Sequence, residues 1–179
     1  MMTVGHSTLP VEDLLRGLVN NGCRLLVDVR RYPGSRRYPQ FGQAALFRSL
    51  RSVEIEAVWR EGLGGRRKAA KDSVNLGWRN ESFRGYADYM QTPEFGREID
   101  WLMGLRELEA VAVMCAEAVP WRCHRSLIAD AVVARGAEVE DVFVEEGGRS
   151  HRRPHALTSF ARVEGERLWY PREGELFGA

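Results

Sequence analysis

The sequence predicts an α/β fold: a Rossmann-like, mostly parallel sheet with helices on both faces and a small C-terminal hairpin. Three observations carry this expectation. Residues 24–30, 110–114 and 139–144 are short, nearly continuous apolar runs of the kind that buried parallel strands make. Amphipathic stretches separate them, so strands alternate with helices. A length of 179 residues suits one domain with a real hydrophobic core, expected to span 1–179 with 156–179 as its hairpin or extension.

The elements follow in order. Thr3-Val4-Gly5 ends a short first strand. A helix runs over 10–19, with Pro10, Glu12 and Asp13 in its first turn and Leu14, Leu15, Leu18 and Val19 on one face; Asn21-Gly22 ends it. Residues 24–30 form a buried strand, and Tyr32-Pro33-Gly34-Ser35 a turn. Helical periodicity covers 43–52, and 53–59 alternates like a strand. Gly62-Leu63-Gly64-Gly65 and the basic run after it read as a loop. Residues 86–90 and 93–105 read as one interrupted helix or two. The strand ending at Met114, a helix over 126–133 with Gly136 at its end, and a last central strand over 139–144 come next. Beyond Glu145 the chain is polar and basic, and Glu164-Gly165 turns a closing hairpin.

Composition narrows the setting. Charge is nearly balanced, at a formal +1, and no apolar run approaches the roughly 18 residues of a membrane span. Three cysteines, without a secretory signal, fit a reducing cytoplasm better than a disulfide framework. Lys68 and Lys71 are the only lysines among 26 basic residues. Arginine clusters at 30–31, 36–37, 66–67 and 149–153, which suits phosphate or carboxylate recognition and equally suits an ordinary solvated surface.

In a parallel sheet the loops after the strands open on one edge, where such folds bind ligands. Those loops carry Gly5-His6-Ser7, Asp28-Val29-Arg30 with Ser35, Gly64-Gly65, Cys115-Ala116-Glu117 with Cys123-His124-Arg125, and the segment through His155. Cys115 or Cys123 is a candidate nucleophile, with His124, His6 or His155 as base. A following helix would lower the Cys123 pKa, whereas Cys115 can equally be a small buried hydrophobe. A phosphatase-type Cys-x5-Arg loop fails, because the sixth residue after Cys115 is Trp121. Cys115, Cys123 and His6 are candidate ligands for zinc or iron, although Cys-x7-Cys is not a knuckle spacing and adjacent Cys123 and His124 rarely share an ion. Ser7, Arg30, Arg125 and the first amides of the Cys123 helix are candidate anion contacts, with Gly64 and Gly65 as backbone donors. Asp28 and Glu117 serve as acid–base groups or as arginine partners, and Tyr86 packs or stacks on a base.

These motifs together resemble the family named domain of unknown function DUF488. The similarity rests on Val4-Gly5-His6-Ser7, Val27-Asp28-Val29-Arg30 with Pro33 and Ser35, and Leu63-Gly64-Gly65. It continues through Phe83-Arg84-Gly85-Tyr86, Met114-Cys115-Ala116-Glu117 and Cys123-His124-Arg125 to Leu168-Trp169-Tyr170-Pro171. Ala156 stands where family members often have proline, a change expected to touch a turn. The resemblance implies a Rossmann-like fold with a site built from these motifs, and names no reaction.

Three functions remain open at this stage. One is a cytoplasmic enzyme acting on an anionic small molecule or nucleic acid. The others are a non-catalytic nucleotide- or nucleic-acid-binding module and a metal or redox sensor.

Overall fold

The computed structural model describes residues 1–34 and 36–172. Its centre is a six-stranded sheet built from β1 (Met2–Gly5), β2 (Leu25–Asp28), β3 (Glu56–Trp59), β4 (Val111–Cys115), β5 (Glu140–Val144) and β6 (Ser150–Pro154). The strand order is β3-β2-β4-β1-β5-β6. β1 to β5 are mutually parallel, and β6 runs antiparallel to β5 at the edge. A separate hairpin pairs β7 (Arg162–Glu164) with β8 (Arg167–Trp169).

Five helices connect the strands: α1 (Val11–Asn20), α2 (Gln43–Arg51), α3 (Glu81–Tyr89), α4 (Pro93–Met103) and α5 (Arg125–Ala134). Alternate residues of the strands feed two cores. Met2, Val4, Leu26, Ala112 and Met114 pack with Leu14, Leu18, Leu46 and Leu50 of α1 and α2. Val27, Val29, Val111 and Val113 pack with Tyr86, Phe95, Ile99, Leu102, Leu127 and Ile128 of α3, α4 and α5. The sheet is therefore covered on both sides, as the apolar runs require. Among the described residues, no helix is long and apolar enough to cross a membrane.

Two expectations need correction. Residues 150–154 are an edge strand and not a loop on the rim. Ser-His-Arg-Arg-Pro lacks apolar alternation because an edge strand pairs on one side and its charges discourage further pairing. The helix expected to begin near Tyr86 begins at Glu81, because the Asn80 side chain accepts hydrogen bonds from the Ser82 and Phe83 amides. The interrupted helix resolves into two, broken at Gln91-Thr92, and Thr92 caps the second.

Topology places the site. β1 and β4 are neighbours, yet the chain leaves β1 toward β2 and β3 and leaves β4 toward β5. The helices that follow them, α1 and α5, pack on opposite faces of the sheet, and the carboxyl ends of the two strands are where such a sheet forms a crevice.

Candidate functional site

A cavity of about 650 Å³ occupies this crevice. Each of its walls comes from a loop after a parallel strand: His6, Ser7 and Thr8 after β1, Arg30 to Tyr32 after β2, Gly65 and Arg66 after β3, and Cys115 to Ala118 with Arg122 and His124 after β4.

Backbone contacts join the β1 and β4 loops tightly. The His6 amide donates to the Cys115 carbonyl at 3.1 Å and the Ser7 amide to the Ala116 carbonyl at 2.9 Å. Ser7 holds a left-handed φ of 47°, a conformation that costs a non-glycine residue energy and recurs at functional sites. Gly5 just before them has no alternative, since a Cβ there would lie 1.9 Å from the Glu117 carbonyl oxygen.

Cys115 and His124 line the cavity, and Cys123 is buried behind them, outside the lining, with the ligand-type atoms of all three within 4.8 Å of one another. His124 Nε2 lies 3.2 Å from the Val29 carbonyl, so it carries a proton and leaves Nδ1 to take the Cys123 proton and then donate to the sulfur at 3.7 Å. The Cys115 thiol donates its hydrogen bond to Cys123 sulfur. That bond, with His124 and Arg125 adding to it, holds the Cys123 pKa well below the ordinary thiol value despite burial. The same bond, then burial, raises Cys115 well above it. Cys123 is therefore the more acidic of the two sulfurs. Cys123 also sits just ahead of α5, whose amide end favours negative charge.

The surrounding residues fix the His124 ring. Tyr86 is fully buried, lies 5.0 Å from the His124 ring and donates its hydroxyl to the Leu63 carbonyl at 2.8 Å. That bond holds the 63–65 loop, and a Cβ on Gly65 would come within 2.8 Å of His124 Nδ1. Tyr86 is therefore a support beneath the cavity and not part of its lining, and Gly64 is buried behind Gly65.

His6 borders the cavity in a different state. Its Nδ1–H donates to the Ser7 carbonyl at 2.9 Å, Nε2 accepts from Arg30 Nη1 at 3.4 Å, and the ring stacks 4.0 Å from Phe41. Burial, then the Arg30 charge, lowers its pKa to about 4. His6 is neutral at pH 7, so it is not a general acid there.

Three expected contacts turn inward. Arg125 is 1 % exposed and donates to the Glu117 and Ala118 carbonyls; it clamps the Cys115–Cys123 loop and does not line the cavity. Arg30 borders the cavity, but Nε and Nη2 go to Asp28 at 2.8 and 2.5 Å and Nη1 to the Phe41 carbonyl at 2.7 Å. Asp28 is accordingly an arginine partner. His155 is elsewhere, buried against α5 between Asp130 and Asp141 at 3.0 Å from each. Ser35 lies outside the described residues. Glu117 does line the cavity, its carboxylate accepting from the Val119 amide at 3.3 Å.

The lining also holds Arg31 and Arg66, which the sequence showed only as members of arginine clusters, and Arg122, Tyr32 and Tyr38, which sequence reasoning missed as site residues. Arg31 is paired with Glu61 at 3.3 Å and Arg66 lies over Tyr32, while the Arg122 side chain has no partner among the described residues. With Arg30 they give the cavity four guanidiniums against the single carboxylate of Glu117. Their signal was position, since each follows a parallel strand beside a residue already singled out.

A family model described as domain of unknown function DUF488 matches residues 10–132. The match includes Arg30, Gly65, Tyr86, the Cys115–Cys123 loop and Arg125, and leaves His6, Ser7 and His155 outside. No curated protein and no solved structure matches the chain.

Proposed function

The chain belongs to the DUF488 family, a description that carries no activity, and from the cavity itself we propose that it is an enzyme acting on an anionic, nucleotide-like or nucleic-acid substrate through the Cys123 thiolate. The observation that carries this reading is the Cys123–His124 pair: Sγ faces Nδ1 at 3.7 Å while Val29 holds the opposite nitrogen. A nucleophile, a base and a group that orients the base are the parts of thiol-based covalent catalysis.

The step they support is group transfer. Cys123 sulfur bonds to the electrophilic centre of the substrate, the bond to the leaving group breaks, and the His124 imidazolium gives its proton to the departing atom. Water, deprotonated by the same imidazole, then displaces the sulfur. Arg31, Arg66 and Arg122 favour negative charge on the substrate, and Glu117 on the rim can orient the water.

Iodoacetamide alkylation, mapped by mass spectrometry, tests the reading. Cys123 should react at about pH 6, where an ordinary thiol is protonated, and inorganic pyrophosphate should slow it. Reaction only at alkaline pH, or indifference to the anion, would refute it.

A second reading has support in the same atoms. Cys115, Cys123 and His124 can serve as three ligands, with a fourth position open to the cavity. Carbonyl support of the non-ligating nitrogen, as Val29 gives His124, is usual for metal-bound imidazole. Two thiolates and an imidazole suit zinc, and His6 is outside the group because both its nitrogens are engaged. The supposed obstacle, that neighbours such as Cys123 and His124 rarely share an ion, is weakened because the ring folds back over its own cysteine. Stoichiometric zinc in purified protein, lost in Cys115→Ser, would favour this reading over the free thiolate.

A further inference from the structure

Trp121 stands on the ridge of the cavity and is 63 % exposed, in a chain that buries most of its large apolar side chains. It belongs to the short turn Pro120–Arg122 that leads into Cys123. On its far side is a second cavity of about 350 Å³, lined by Trp121, Phe143, Arg153 and Leu157 among others. Arg122, the next residue, lines the first cavity. The Trp121–Arg122 pair therefore divides the two.

Phe143 forms an aromatic wall of the second cavity and is backed by His151 outside the lining. β5–β6 pairing sets Phe143 opposite His151, and their rings stack 4.9 Å apart at 7°. The Arg153 guanidinium lies 5.4 Å from the Phe143 ring centre, and the Trp121 ring lies 6.3 Å from it. Of the neighbouring arginines, Arg152 in β6 pairs with Glu140 and Arg149 just before the strand lies 3.8 Å from Glu145. Among the described residues Arg153 and Arg122 have no carboxylate partner, so the free positive charge flanks the exposed indole on both sides.

We propose that the substrate is a single-stranded nucleic acid lying across this ridge. One nucleotide occupies the Cys123 cavity, the neighbouring base stacks on Trp121, and the backbone passes Arg122. The inference rests on the proposed anionic, nucleotide-like substrate and narrows it. Exposed aromatic faces interleaved with cations bind unpaired bases and phosphates together. An acidic peptide would use the cations and leave the indole idle. A duplex offers a base to a recessed cavity only by flipping it out of the stack, at a cost that an unpaired strand does not carry.

The test is fluorescence anisotropy with labelled oligothymidylate and oligouridylate of about twelve nucleotides, at low and moderate salt. Binding should weaken as salt rises. Trp121→Ala should weaken it about ten-fold or more, and Arg153→Ala should weaken it and flatten the salt dependence. Arg51→Ala, at the end of α2 on the opposite face, should bind as the wild type. Preference for the uridylate or the thymidylate identifies the strand as RNA or DNA. No binding at low salt, equal binding by Trp121→Ala, or equally tight binding of an annealed duplex would overturn the proposal. Fast, anion-sensitive alkylation of Cys123 without oligonucleotide binding would sink this inference alone. Binding without the reactive thiol would sink only the proposed chemistry.

Discussion

Gly5 and Glu117 meet so closely that the β1 strand end carries no room for a side chain: a Cβ on Gly5 would lie 1.9 Å from the Glu117 carbonyl oxygen. The obstacle is backbone, which cannot rotate away. Gly5→Ala should therefore push the β4 loop outward and take Cys115 and Glu117 with it. Overpacking a tight contact costs about 1–3 kcal/mol, and a backbone clash belongs at the upper end. Urea denaturation should show that loss, and Cys123 alkylation at neutral pH should slow with it. An unchanged midpoint would mean that the two loops are not held as described.

Arg125 makes the complementary prediction from the other side of the same loop. Its guanidinium hydrogen-bonds the Glu117 and Ala118 carbonyls from within the core. Arg125→Met keeps the volume and leaves both carbonyls without that donor, at about 1–3 kcal/mol each where water cannot replace it. Arg125→Lys should recover only part of the loss, because an ammonium lacks the planar fork. Arg31→Ala, which removes a partly exposed ion pair with Glu61, should move stability by less than about 1 kcal/mol. Equal effects of Arg125→Met and Arg31→Ala on the denaturation midpoint would contradict the clamp.

These two residues also show what was legible in the sequence. The strands and most helices were, because buried parallel strands leave apolar runs and helices leave periodic faces. The gathering of His6, Cys115, Glu117 and His124 at one edge followed from the parallel topology alone. The direction of a guanidinium did not. Arg30 and Arg125 look identical in sequence to Arg122, yet Asp28 and two loop carbonyls draw the first two inward. β6 was illegible because its pairing is made by backbone groups, and its side chains are those of a solvated loop. His155 was misplaced for the same reason, since reading β6 as a loop carried it to the rim.

The thiol–imidazole pair predicts a pH profile. With Cys123 lowered well below the usual thiol range, its alkylation should persist at mildly acidic pH. His124→Ala removes the partner at 3.7 Å and should shift the profile upward by about one pH unit, slowing reaction about ten-fold on the acid limb of the profile and less at neutral pH. Cys115→Ala removes the hydrogen bond that contributes most to the lowering, so its shift should be at least as large. Mass-spectrometric rates for each thiol would check this, and an unmoved profile in both variants would show that neither neighbour sets the Cys123 charge.

His155 supplies a pH dependence of stability that is independent of the cavity. Its two nitrogens face Asp141 and Asp130 at 3.0 Å each. Thr3 donates to Asp141, and Tyr170 donates to Asp130. The ring therefore ties β6 and its exit to β5 and α5. Burial alone would lower its pKa, but the two carboxylate hydrogen bonds and their charges outweigh it and raise the value to about 9. In the unfolded chain the value returns to about 6.5. A folded pKa above the unfolded one means that the native state holds the proton more tightly. The stabilisation is therefore complete below about pH 6.5, declines as pH rises between the two values, and is gone above about pH 9. Its size is on the order of 2 kcal/mol after allowance for partial solvent screening. His155→Gln should destabilise the protein at pH 6 by at least that much, and the wild-type and variant denaturation midpoints should converge toward pH 9.5. A constant difference across that range would show that the imidazole is not charged between its two carboxylates.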